Sequence, residues 1–596
     1  KYAEKLSTIN EGVRKEGAFY LLSLRLIPLF PFFLINLIMG LTPMPVIEYF
    51  FVSQIGMLPG TAAYVNAGTQ LSQIHSLRGI ISPSILLSFA ALGLIPLISK
   101  MIIRQLRRRK IYAKYKRPKR YDYNLIVIGA GAGGLVSSYI AATVRAKVLL
   151  IEKNKMGGDC LNTGCVPSKA LIKTAKVLSS IRRHKEFGIA SAEASVNFTD
   201  VMTRIKNVIK EIAPHDSVAR YTELGVDCIT GEAKLLSPFE VEVGGKRFTT
   251  RSIILATGGR PVIPKIPGLE NVPYDVSETL WDLEQLPKRL VILGGGAIGC
   301  ELAQAFQRIG SQVTQVERSP RLLGKEDPDV SSEVLKNLRS DGVTVHLDST
   351  ASSFSVRDGR FYLKVESPKG SSEIEFDRAF LALGRQATLS VPGAQELGIE
   401  VAERGGATHN QFLETSFPNI FVCGDLAGPY QFTHVAAHQA WFASVNALFG
   451  AFKKFKVDNR VIPWCTFVDP EVARVGLNET EAAEKKIAVD VTKYHLNDLD
   501  RAIAESETKG FVKVLTKPNS DEILGATIVG HGAGEFIIEY VLAMKYRLGL
   551  NKILGTIHSY PTFAEANKYA AGEWKKARKP ERVLSYLKRY FTWVRG

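Results

Sequence analysis

The sequence predicts a mixed α/β chain in which two Rossmann-like nucleotide-binding units follow an all-α apolar segment. Three observations carry that prediction: a strand, glycine turn, helix, strand pattern starting at residue 121, a second copy starting at 289, and an apolar composition confined to residues 1–103. At 596 residues the chain is too long for one hydrophobic core, so several domains are expected.

The first copy reads YDYNLIVIGAGAGGLVSSYIAATVRAKVLLIEK. Its apolar strand turns through Gly129, Gly131 and Gly134 into a helix, and a second strand ends at Glu152. The first glycine suits a tight turn, the second lets backbone approach a pyrophosphate, and the third packs helix on sheet. An acid about 20 residues on accepts ribose hydroxyls. A glycine triplet alone is weak; here strand, helix and acid all stand in place. The second copy, RLVILGGGAIGCELAQAFQRIGSQVTQVERS, repeats the pattern with Gly294, Gly296, Gly299 and Glu317. Two units imply two dinucleotides. Glu317 favours NADH, because a carboxylate repels a 2′-phosphate, while Arg318 and Arg321 keep NADPH open.

Charge is distributed unevenly. The formal net charge is +18, and ten cations fall in RQLRRRKIYAKYKRPKR, residues 104–120, with no acid among them. A solvated linker or a nucleic-acid tail would share that composition. Its place directly after an apolar span favours a membrane surface, with membrane lipid rather than nucleic acid as partner. The span itself, SILLSFAALGLIPLISKMII at residues 84–103, is long enough to cross a bilayer core of roughly 30 Å. Lys100 can snorkel from its end, and Pro96 kinks it. A buried core helix is the alternative. The positive-inside rule then keeps everything after residue 104 in the cytoplasm and the span in the inner membrane. Upstream, Arg25, Pro28 and Pro31 interrupt GAFYLLSLRLIPLFPFFLINLIMG, which fits a re-entrant hairpin better than an unbroken span.

The stretch LRLIPLFPFFLINLIMG, followed by GMLPGTAAYVNAGT, resembles the second half of the SNARE-associated, DedA-type (VTT) membrane domain. Its first half is missing and the chain opens at Lys1, so a fragment of a longer protein is expected.

Farther on, four segments stand in a telling order. They are GGDCLNTGCVPSKALI (157–172), ATGGRPVIPKIPG (256–268), ALGR (382–385) and TSFPNIFVCGDLAG (415–428). Together with the two fingerprints they resemble the flavoprotein disulfide reductases, the family of dihydrolipoyl dehydrogenase, glutathione reductase and mercuric reductase. The resemblance runs from about Tyr121 to Ala571. It implies FAD in the first unit, NAD(P)H in the second, and Asp425 on the ribityl chain of the flavin. VIPWCTFVDPEVARVGLNETEA (461–482) resembles the start of the family's α+β dimerisation domain, so a homodimer is implied. The expected layout is a partial membrane domain (1–103), a polybasic linker (104–120), an FAD domain (121–270), an NAD(P) domain (271–392), a central FAD-contacting segment (393–460), a dimerisation domain (461–580) and a basic-aromatic tail (581–596).

Cys160 and Cys165, with four residues between them, lie inside one of these segments. Zinc would want four ligands, and no second cysteine pair or histidine cluster accompanies them, so no metal site is expected. A structural staple is a poor fit for a cytoplasmic domain, where disulfides are usually transient and catalytic. Redox chemistry remains. The resemblance implies that Cys165 is the thiolate against the flavin and Cys160 the thiol that attacks substrate. A helix from about Val166 through Val177 would aim its positive end at the pair. Lys169 and Glu301 match a Lys–Glu pair that the family keeps near the flavin, although Glu301 alone also reads as a helix-surface acid. HSYPTFAEA (558–566) resembles the C-terminal family segment that reaches the partner's active site. It makes His558 the acid–base residue and Glu565 its orienting carboxylate. Cys228, Cys300, Cys423 and Cys465 read as packing residues.

The expected activity is electron transfer from NAD(P)H through FAD and the Cys160–Cys165 disulfide to a small-molecule or protein disulfide. Mercuric reductase is the near alternative, although the C-terminal cysteine pair that delivers Hg(II) there has no counterpart after Cys465. In another class, the membrane part would perform lipid or solute transport, with the flavoprotein as regulator or electron donor. The tail VLSYLKRYFTWVRG (583–596) reads either as a membrane-surface segment or as a helix packed on the dimer.

Overall fold

A computed structural model describes residues 17–26, 32–72, 94, 101–102, 105–106, 109–403 and 405–596. The chain divides into two compact units, Lys1–Arg117 and Pro118–Gly596.

In the first unit, helices α1 (Ala18–Leu26), α2 (Phe32–Met39) and α3 (Val46–Ser72) gather around Leu21, Ile35 and Met39. Pro28 and Pro31, on which the predicted re-entrant hairpin rests, lie outside the described residues. Arg25 is buried and satisfied by neutral groups: Nη2 donates to Asn36 Oδ1 (2.5 Å) and Tyr49 Oη (2.7 Å), and Nε to Ser53 Oγ (3.2 Å). Much of the outer surface is apolar, Val46, Ile47, Phe50, Phe51 and Ile55 among it. Among the described residues no helix is long and apolar enough to cross a membrane. The span predicted at 84–103 lies outside the described residues, apart from Leu94, Met101 and Ile102.

The second unit opens with a buried parallel sheet. Strand β1 (Tyr123–Ile128) turns at the first glycine loop into α4 (Ala132–Thr143), and β2 (Val148–Glu152) returns beside β1 with Val127 opposite Leu150. The short helix α5 (Gly158–Asn162), the long α6 (Cys165–Arg182) and α7 (Phe198–Ile212) follow. Strands β3 (Val226–Thr230), β4 (Ala233–Ser237), β5 (Glu240–Val243) and β6 (Lys246–Leu255) complete the sequential part of this sheet. The first residues of β6 pair antiparallel with β5, and its apolar second half pairs parallel with β1.

The second nucleotide-binding unit repeats the plan with β7 (Arg289–Leu293), α8 (Ala297–Ile309), β8 (Gln312–Val316), β9 (Thr344–His346) and β10 (Arg378–Leu381). Its parallel order is β9-β8-β7-β10. The chain then returns to the first nucleotide-binding sheet: β11 (Ile420–Val422) adds to the second half of β6, and α9 (Thr433–Phe449) is tied to α4 by Ser444 Oγ on Ser137 O at 3.4 Å. The central segment thus joins the first sheet, where β11 pairs with Ile253–Leu255, the half of β6 that β5 leaves open.

Strands β12 (Pro463–Thr466), β13 (Glu471–Gly476), β14 (Asp490–His495), β15 (Phe511–Thr516) and β16 (Ile523–Gly530) form an antiparallel sheet in the order β12-β13-β16-β15-β14. Helix α10 (Glu565–Ala577) packs on it through Ala566, Ala570, Ala571 and Trp574, and α11 (Glu581–Arg595) ends the chain. Buried charge joins this sheet to the second nucleotide-binding unit. Lys513 Nζ lies 2.8 Å from each of Asp327, Asp329 and Glu479, and Arg474 meets Glu326 at 3.1 Å and Glu481 at 2.9 Å. Removing one partner from such a set leaves an uncompensated buried charge.

Candidate active site

The two cysteines sit at adjoining helix starts. Cys160 lies in α5, and Cys165 opens α6, where Gly164 provides no side-chain cap. Unfilled N–H groups and the helix dipole there favour negative charge. The helix is longer than predicted, from Cys165 to Arg182, because its apolar stripe continues through Ala175 and Leu178. The two sulfurs are free thiols, and Cys165 Sγ lies 3.4 Å from Thr433 Oγ1. A hydrogen bond from Cys160 is the main cause that draws the Cys165 pKa down to about 6; Thr433 and the Lys169 charge assist, against burial. Hydrogen bonding to Cys165, then burial, pushes Cys160 far above the usual thiol range. Both shifts favour a single thiolate in the pair, on the Cys165 side.

Lys169, one turn into α6, reaches across to α8. Its Nζ is 2.9 Å from Glu301 Oε2, while Glu301 Oε1 accepts from the Phe467 N–H at 2.8 Å. The ammonium also lies 4.3 Å from the Phe467 ring centroid. Glu301 is buried, so it is not a helix-surface acid.

A cavity of about 550 Å³ runs along the β1 turn, lined by Gly129, Gly131, Glu152, Gly158, Thr257 and Gly259 among others. These residues suit a dinucleotide. Gly129 has φ of +101°, and a Cβ there would meet Ala256 O at 2.4 Å; a Cβ on Gly134 would meet Gly129 O at 1.7 Å. Gly131 leaves the start of α4 open and without a side-chain cap. Thr257 Oγ1 is buried with no hydrogen-bond partner. Glu152 holds the loop by accepting from Ala130 N (2.6 Å) and Asn154 N (2.8 Å). The second loop matches: Gly294 has φ of +110°, Gly299 is pressed on Gly294 O, Gly296 is open, and Glu317 accepts from Gly295 N (2.5 Å) and Ser319 N (2.7 Å).

Asp425 lies beside Arg385, whose Nε is 3.7 Å from Asp425 Oδ2. Burial raises the Asp425 carboxyl above its usual range, with Arg385 opposing. Arg385 also pairs with Asp159, next to Cys160, and donates to Gly259 O at 2.6 Å. Sequence reasoning singled out neither Asp159 nor Arg385, nor Thr433, although the first two lie inside quoted motifs. Thr433 carries only the signal of a polar residue opening an apolar helix.

The C-terminal segment differs from expectation. His558 Nε2 bonds Glu539 Oε1 at 2.9 Å, and Nδ1 bonds Thr556 O at 3.0 Å. Glu565 instead accepts from Thr562 N at 3.1 Å. The carboxylate that meets His558 is thus Glu539, while Glu565 is turned back to cap its own loop. Tyr560 projects from the same loop, 68% exposed, its hydroxyl on Asp500 Oδ2 at 2.8 Å. Cys300 and Cys423 are buried packing residues, with thiols pushed up to about 12 by burial. Among the described residues no group of three or more acids, histidines and cysteines could hold a metal.

Two dinucleotide loops, a dithiol with one charge and a carboxylate-paired lysine define a flavin- and nicotinamide-dependent dithiol oxidoreductase. The chain belongs to the pyridine nucleotide-disulphide oxidoreductase family, whose model matches residues 123–440 and whose dimerisation-domain model matches 462–571. Members of this family use FAD with NAD(P)H as electron donor. A VTT-domain model matches residues 1–70. The chain is 35% identical to the dihydrolipoyl dehydrogenase of Chlamydia trachomatis over 449 residues, 74% of this chain and 95% of that one. It is 34% identical to the mercuric reductase of Lysinibacillus sphaericus, covering 76% and 82%. It superposes with a TM-score of 0.68 on the HOCl-induced flavoprotein disulfide reductase RclA from Escherichia coli, at 27% identity over 76% of this chain and 99% of that one.

Proposed function

We propose that this chain forms a membrane-anchored homodimer that reduces a disulfide-type acceptor at the expense of NADH. The carrying observation is the placement of two free thiols at adjoining helix starts, with Cys165 opening α6 beside Thr433 Oγ1 at 3.4 Å and one turn from the Lys169–Glu301 pair. Bound FAD would take a hydride equivalent from the nicotinamide and deliver two electrons to the Cys160–Cys165 disulfide. The first loop, Glu152, Asp425 and Lys169 would hold that group, and the second loop and Glu317 the nicotinamide cofactor.

In the reduced pair, Cys160 gives up its proton to His558 and attacks one sulfur of the acceptor, forming a mixed disulfide and releasing one thiolate. His558 returns that proton to the leaving thiolate. The Cys165 thiolate then attacks the Cys160 sulfur, re-forming the internal disulfide and releasing the second half of the acceptor as a thiolate. Lys169 keeps positive charge beside Cys165, and Glu301 keeps that lysine in place.

Membrane anchoring rests on the VTT match, the apolar exterior of α2 and α3 and the basic residues after the predicted span. Anchoring from that span would place the catalytic unit on the cytoplasmic face of the inner membrane. Acceptor profiling of the full chain with NADH decides the reaction. Oxidised lipoamide or another disulfide should turn over faster than Hg(II) or quinones; preferential Hg(II) turnover would replace this reading with metal-ion reduction.

A further inference from the structure

We propose that α11 is an interfacial helix that lies on an anionic phospholipid bilayer. It contains no buried residue, and the hydrogen bonds of its side chains stay within the helix. Pro580 separates it from α10, whose packed residues end at Trp574. Val583, Leu587, Tyr590 and Val594 recur at i, i+4, i+7 and i+11, with Leu584 and Phe591 on one flank and Tyr586 and Trp593 on the other. This face is open to solvent, Phe591 at 55% and Trp593 at 78% exposure. Fifteen residues make a helix of about 22 Å, too short to hold its shape alone in water, so its apolar face needs a cover.

Charge selects the cover. Arg582 and Arg589 border one edge of the apolar face, Lys588 and Arg595 the other, and Glu581 is the one acid. Cations on both margins, with Tyr and Trp beside them, suit acyl chains below and anionic headgroups at the rim. A second copy is the less fitting occupant, since the dimerisation-domain match ends at residue 571, before α11 begins. The proposal is independent of the acceptor and of the N-terminal anchor.

The test reads Trp593 in the full chain reconstituted into vesicles, as the difference in fluorescence between the native protein and Trp593→Phe. In phosphatidylglycerol-containing vesicles with brominated acyl chains, that difference should be blue-shifted and quenched at least about two-fold relative to unbrominated vesicles of equal charge. Leu587→Asp together with Phe591→Asp should abolish the quenching while NADH-driven turnover is kept. Three outcomes overturn the proposal: a solvent-like Trp593 signal in anionic vesicles, a blue shift without bromine quenching, which puts protein on the face, or equal quenching in neutral phosphatidylcholine.

Discussion

Lys169 Nζ and Glu301 Oε2 meet at 2.9 Å although 132 positions separate them, and they join the dithiol helix to the first helix of the second nucleotide-binding unit. Lys169→Met leaves a buried carboxylate without its cation. With Lys169 about a third exposed, a stability loss of about 1–3 kcal/mol is expected, and reduction of bound flavin by NADH should slow by about ten-fold or more. Stopped-flow reduction measures this; an unchanged rate would make the pair purely structural.

The charge on Cys165 has an optical and a thermodynamic consequence. Cys160→Ser should leave a thiolate against oxidised flavin and a long-wavelength absorption band, and Cys165→Ser should abolish that band. The Cys165 pKa of about 6 lies below the unfolded value of 9.0, so between these pH values the unfolded chain binds the extra proton. Its contribution to the stability of the reduced protein is full above pH 9 and is lost as pH falls toward 6. Denaturant titration of the reduced protein against Cys165→Ser should show this slope. A flat difference would place the charge elsewhere.

The Glu317 carboxylate on the second loop predicts a preference for NADH, with kcat/KM for NADH expected to exceed that for NADPH by about ten-fold or more. Because its carboxylate also accepts from Gly295 N and Ser319 N, Glu317→Ala should raise KM for both cofactors. A native preference for NADPH would show that Arg318 or Arg321 reads the phosphate.

Proton delivery across the dimer is tested by mixing two inactive proteins, Cys160→Ser and His558→Ala, under subunit exchange. Half of the sites in each heterodimer pair an intact dithiol with an intact histidine, so disulfide reduction should return. Glu539→Gln should depress the same activity while Glu565→Gln depresses it less. Full activity in His558→Ala, with loss in Tyr560→Phe, would move the proton to the exposed tyrosine.

Lys513 neutralises three carboxylates while almost fully buried, so Lys513→Met should cost about 3–5 kcal/mol in chemical denaturation. A loss under about 1 kcal/mol would mean that solvent reaches the cluster.

Local spacing made much of this protein legible from its sequence. Glycines at 129, 131 and 134, and again at 294, 296 and 299, announce close backbone approaches that a side chain would block, and the acids at 152 and 317 follow at the distance one strand requires. The dithiol announces itself because both cysteines share one short segment. Long-range choices had no such signal. That β11 returns to the edge of β6, that Thr433 opens its helix against Cys165, and that Glu539 rather than Glu565 takes His558 were decided by packing between segments far apart in the chain. A motif records which groups a loop carries; which carboxylate a buried ring meets depends on where the neighbouring helices come to rest, and only the assembled core sets that.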